Sequence, residues 1–126
     1  MGGDDAYPAP LEYFAAGVGT RLMTQVARFG RMLKVEIRDV RVRVRIGWEQ
    51  SGSVFAGTVA ARCTGVQTDL DVDADASDEM LAALIHSAKA SCFAEAALVQ
   101  AVPLHSTVTR NGVPFPYTDF PAKPPR

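Results

Sequence analysis

Pro10 to Trp48, PLEYFAAGVGTRLMTQVARFGRMLKVEIRDVRVRVRIGW, changes its period partway along. Up to Leu33 the apolar residues Leu11, Phe14, Val18, Leu22, Val26, Phe29 and Leu33 recur at spacings of three and four. That is the stripe of an amphipathic helix over residues 10–33. Pro8 and Pro10 stand where a helix start tolerates them, because first-turn N–H groups have no partner inside the helix. From residue 35 the spacing falls to two. Val40, Val42, Val44 and Ile46 point one way and Arg41, Arg43 and Arg45 the other, a strand with one apolar face. Gly17 and Gly19 each cost the helix about 1 kcal/mol relative to alanine. Close approach of another helix or of a partner chain is the expected compensation.

Working outward, Gln50-Ser51-Gly52-Ser53 reads as a turn. Val54 to Cys63 reads as a second strand with Phe55, Val59, Ala61 and Cys63 on one face. Thr64-Gly65 breaks it, and Val66 to Ala74 makes a third, where Leu70 and Val72 alternate with Asp69, Asp71 and Asp73. The arginine and aspartate stripes suit one polar face of an antiparallel meander, where opposed charges contribute about 0.2–1 kcal/mol per pair. Ser77-Asp78-Glu79 opens a second helix with a serine cap and acidic residues in the first turn. Its stripe runs through Leu81, Leu84, Ile85, Ala88, Cys92, Ala96 and Val99, and Pro103 ends it. A strand at 104–110 and the Asn111-Gly112 turn follow. The expected fold class is α+β, two long helices packed on an antiparallel sheet. Residues 1–115 form the domain and 116–126 a proline-rich extended tail. Two such helices on a small sheet leave one sheet face or one helix flank uncovered, so a partner chain is expected.

Composition narrows the function. The chain has 126 residues, 48% of them hydrophobic, and a formal net charge of −1, the profile of one globular domain. That charge gives no general attraction to nucleic acid or to an anionic membrane. No apolar run reaches the ~20 residues of a membrane span. The acidic start Met1-Gly2-Gly3-Asp4-Asp5 is not a secretory signal. Two cysteines, Cys63 and Cys92, are too few for a disulfide scaffold, and a cytoplasmic location is expected. His86 and His105 have no ligand spacing to either cysteine, so no metal is expected. No phosphate-cradling glycine loop or serine-nucleophile motif is present, and no cofactor is expected.

The segment Pro10-Leu11-Glu12-Tyr13-Phe14-Ala15-Ala16-Gly17-Val18-Gly19-Thr20-Arg21 resembles the opening of the central helix in the OsmC/Ohr family (osmotically inducible protein C and organic hydroperoxide resistance proteins). In that family the peroxidatic cysteine stands eleven residues after the proline, the position held here by Arg21. Ser91-Cys92-Phe93, then Ala97-Leu98, then Val102 to Thr109 match the order of the family's second cysteine, its Ala-Leu pair and its closing strand. Gly2-Gly3 resembles the linker into the helix. Four departures accompany the match. Arg21 replaces the attacking cysteine. Leu11 replaces the first glutamate of the family's proline–glutamate segment, leaving Glu12 as the one carboxylate. Phe93 replaces the proline after the second cysteine. The family's N-terminal strands have no counterpart here, as in a truncated piece or a shortened relative.

The resemblance implies thiol-dependent reduction of organic hydroperoxides by a cysteine pair, through a sulfenic acid and then a disulfide, in an intertwined homodimer. An arginine cannot attack a peroxide, because its guanidinium stays protonated and offers no nucleophilic lone pair. The candidate site residues are therefore Cys92, Arg21 and Glu12, with the standard cycle impaired. Cys92 beside Arg21 could act alone as a thiolate reduced by external thiols. Equally, Cys92 on its apolar stripe fits a small buried core residue, and Cys63 on a strand's apolar face fits the core. Arg21, off the apolar stripe near Gln25 and Arg28, reads as an exposed helix residue or as a fork for a small anion or carboxylate across a dimer interface. A non-catalytic ligand-binding or structural module is the alternative function. The Arg41/Arg43/Arg45 stripe, beside an aspartate stripe and few aromatics, does not read as a nucleic-acid face.

Overall fold

A computed structural model describes residues 7–126. The elements are α1 (Pro10–Met32), β1 (Glu36–Ser51), β2 (Ala60–Asp75), α2 (Asp78–Ala90), α3 (Phe93–Val99), β3 (Thr109–Arg110) and β4 (Val113–Pro114), with one 3₁₀ turn at Tyr117–Asp119. The architecture is α+β, as the change of period predicts. The residues gather into two compact units. One is the chain up to Ile46 with Val66–Ala101; the other is Gly47–Gly65 with Val102–Arg126. Gly2-Gly3 lies outside the described residues.

In the first unit α1 starts without a capping side chain. Glu12 reaches back instead and accepts a hydrogen bond from the Ala9 N–H at 3.3 Å, and Pro10 supplies a preset φ. The helix ends in a Schellman motif: the Val35 N–H donates to the Gly30 carbonyl at 2.9 Å and the Lys34 N–H to that of Arg31 at 3.2 Å, with Lys34 at φ 57°. That reversal turns helix into strand within three residues. Leu22 and Val26 are fully buried, as are Leu84 and Ala88 of α2, and Phe29, Leu33, Ile37, Leu70 and Ile85 pack around Val26, Leu84 and Ala88. Each such large side chain contributes about 1.5–3 kcal/mol. The cost of Gly19 is offset by β1 rather than by a helix: a Cβ there would lie 3.2 Å from Val44 Cγ2 and 3.6 Å from Val42 Cγ1. Nothing lies within 4 Å of a Cβ at Gly17, and the structure gives that glycine no packing reason.

β1 and β2 form a two-stranded sheet. Arg38 pairs with Asp73 and Arg45 with Asp69, so numbers rise on one strand as they fall on the other: the pair is antiparallel. The opposed charge stripes thus share one face. The Arg38 guanidinium holds the Asp73 carboxyl below its ordinary range and is itself raised by it, while a hydrogen bond from Gln67 and the charge of Arg45 lower Asp69.

Five sequence expectations change. The second and third strands are one, because Gly65 continues β2 and residues 54–59 form a turn, with the Thr58 N–H donating to the Ser53 carbonyl at 3.0 Å. Phe55, expected on one strand face with Val59, Ala61 and Cys63, is 81% exposed in that turn. The second helix is two, broken at Ser91-Cys92. The closing strand shrinks to Thr109–Arg110, which pairs with Val113–Pro114 across Asn111-Gly112; both turn residues take positive φ, 52° and 80°. Cys63 is exposed rather than in the core.

In the second unit Arg62 of β2 pairs with Glu49 of β1. The proline-rich tail is folded on itself, with the Phe115 and Phe120 ring centroids 5.6 Å apart. A Cβ at Gly57 would meet the Lys123 backbone nitrogen at 2.5 Å, so the tail lies directly on that turn.

Candidate functional site

The break between α2 and α3 has a specific cause. Gln25 of α1 is 2% exposed, and its Nε2 donates to the Ser91 carbonyl at 3.0 Å and to the Ser91 hydroxyl at 2.7 Å. The Ser91 carbonyl thereby has a side-chain donor where a continuing helix would offer the N–H four residues on. The Ser91 hydroxyl in turn donates to the Ser87 carbonyl at 2.8 Å, closing the last turn of α2. Cys92 then leaves helical geometry (φ −79°, ψ 106°), and its carbonyl accepts the first bond of α3, from the Ala96 N–H at 3.0 Å. The two helices meet at a 65° bend.

On the other side of Cys92, the Arg21 guanidinium carbon lies 5.5 Å from the centre of the Phe93 ring, within cation–π range. Arg21 and Gln25 are one turn apart on α1, and Ser91 and Phe93 are the neighbours of Cys92 in the chain. Cys92 is thus bracketed by two contacts from one helix face, and it is 1% exposed. Of the three candidate residues, Arg21 and Cys92 belong to this one cluster. Glu12 does not join it. Nine residues before Arg21 it lies about 13 Å back along the helix axis and on the opposite side, holding the Ala9 N–H.

The contacts of Gln25 with Ser91 and of Arg21 with Phe93 do not follow from the sequence pattern. A signal for Gln25 existed: counted from Leu22 it falls on the apolar stripe itself, and a polar residue on such a stripe needs a buried partner. The signal for Ser91 was absent, because its partner is 66 residues away.

A cleft of about 380 Å³ opens between β2, the end of α2 and α3, lined by Val66, Thr68, Ala90, Ala96 and Val99 among others. Lys89 Nζ at its edge is 2.6 Å from Glu95, so the cleft presents a paired charge rather than a free cation. Among the described residues no group of three or more His, Cys, Asp or Glu is placed to hold a metal. No single helix among them is long and apolar enough to cross a membrane.

The model of the OsmC-like protein family matches residues 2–107. The chain belongs to the OsmC-like protein family. The fold is similar to that of an OsmC-like hydroperoxide resistance protein from Jannaschia sp. CCS1, with a TM-score of 0.75 and 26% identity over 90% of this chain and 75% of that one. It is also similar to the fold of an organic hydroperoxide resistance protein OsmC from Legionella pneumophila, with a TM-score of 0.59 and 17% identity over 78% of this chain and 66% of that one. A search of the curated proteins finds no match.

Proposed function

We propose that the chain is a relative of the hydroperoxide resistance proteins in which the two-cysteine peroxidase cycle does not run. In that cycle a thiolate sulfur bonds to the distal peroxide oxygen as the O–O bond breaks, and the alkoxide leaves and takes up a proton. A second thiol then displaces water from the sulfenic acid to form a disulfide. The first step needs a nucleophile at position 21, and Arg21 supplies none. The observation that carries the reading is the Arg21 guanidinium stacked at 5.5 Å on Phe93, next to Cys92 in the chain. Two departures from the family pattern touch each other, and both flank the one cysteine that matches it.

Consumption of an organic hydroperoxide with a dithiol reductant tests this, comparing the native chain with Arg21→Cys. The expected result is activity in the variant alone. Equal turnover by the native chain would overturn the reading.

The burial of Cys92 favours a second reading, a non-catalytic small-molecule or structural module on the same fold. Native mass spectrometry that finds a retained small molecule would support it. We also infer a homodimer, since Leu11 and Tyr13 of α1 are about half exposed, surface that a second copy would cover; a cytoplasmic location is inferred from the low cysteine count. Light scattering at micromolar concentration measures the stoichiometry.

A further inference from the structure

We propose that Gln25–Ser91 and Arg21–Phe93 act together as a clasp that fastens α1 to both sides of the α2–α3 break and keeps Cys92 a latent thiol, reached only when the clasp opens. The clasp rests on the contacts described above and holds whether or not the chain has lost a peroxidase activity.

The two halves are unequal, and their inequality makes the proposal testable. Gln25 is buried and its two hydrogen bonds serve a half-buried carbonyl and hydroxyl; without the amide the Ser91 carbonyl loses its partner. Loss of a buried bond of this kind changes an opening equilibrium by about tenfold or more. Phe93 is 76% exposed, so its stack with Arg21 is a surface contact whose loss changes the same equilibrium about two- to fivefold. Cys92 sits between them and needs both to loosen before its sulfur meets solvent. Opening of this kind is local, since Ser91 to Phe93 lies at a helix break with few backbone bonds crossing it.

Cys63, exposed in the same chain, supplies an internal reference. The experiment is alkylation of the full chain by iodoacetamide, with both cysteines followed by mass spectrometry. In the native chain Cys92 is expected to react at least tenfold more slowly than Cys63. Phe93→Ala and Arg21→Ala should each speed Cys92 about two- to fivefold, and the double variant no more than either, since both remove one contact. Gln25→Leu, which keeps the side-chain volume but removes the donor, should speed it tenfold or more. Cys63 rates should stay constant throughout. Equal rates for the two cysteines in the native chain, or an unchanged Cys92 rate in the variants, overturn the proposal. So does an additive effect of the two surface substitutions. If Gln25→Leu does not fold, Phe93→Ala and Arg21→Ala decide the matter, because neither residue belongs to the core. No hydroperoxide enters the assay, so its failure is separate from failure of the proposed function.

Discussion

One amide nitrogen of Gln25 lies 3.0 Å from the carbonyl oxygen and 2.7 Å from the hydroxyl of Ser91, and it ends α2 from a different helix. The break that carries Cys92 is therefore imposed by tertiary contact.

Gln25→Leu should lower global stability by about 1–3 kcal/mol, the range for leaving a buried acceptor unpaired. Urea unfolding followed by the far-ultraviolet circular dichroism of the α-helices, which all lie in the same unit as Gln25, measures it; the midpoint should fall with the denaturant slope unchanged.

The two glycines of α1 should behave differently. Gly17→Ala meets nothing within 4 Å and should stabilise the chain by up to about 1 kcal/mol through helix propensity. Gly19→Leu drives a side chain toward Val44 and Val42 and should cost about 1–3 kcal/mol. Melting temperatures moving in opposite directions are the expected outcome.

Gly47 and Thr64 face each other across the hairpin. A Cβ at Gly47 would fall 2.1 Å from Thr64 Oγ1, so Gly47→Ala should destabilise. Adding Thr64→Ala should relieve most of that loss, leaving a coupling of about 0.5–3 kcal/mol in a double-mutant cycle. Additive effects would mean that the two side chains do not meet.

Acid should weaken the hairpin. Arg38 lowers the folded-state pKa of Asp73, so between that value and the ordinary one the unfolded chain binds more protons. The stabilisation is therefore complete above the ordinary aspartate range, about 3.9, and is lost as pH falls through the lowered value. Asp73→Asn should flatten this acid limb while changing little near neutrality, where an exposed pair contributes little. Unfolding curves at stepped pH would show it.

What could be read from the sequence was local. The helix from Pro10, the alternation from Val40 to Ile46, the charge stripes and the Asn111-Gly112 turn each depend on residues a few positions apart. What escaped depends on partners far along the chain. Thr64-Gly65 looked like a strand break and was not one, because Gly47 on the facing strand leaves room for the Thr64 side chain. The stripe from Leu81 to Val99 looked continuous because its spacing survives the break at Ser91, which Gln25 makes. Cys63 looked buried by alternation, yet that part of β2 is exposed on both faces.

The four-residue interval between Arg21 and Gln25 works as a ruler. Each added or deleted residue within it would turn one contact about 100° away from the other, so that Ser91 and Phe93 could no longer both be met from α1. Substitutions at the three positions between them change chemistry or packing; a change of length there would uncouple the two ends outright. Insertions and deletions in this lineage should therefore be absent from 21–25.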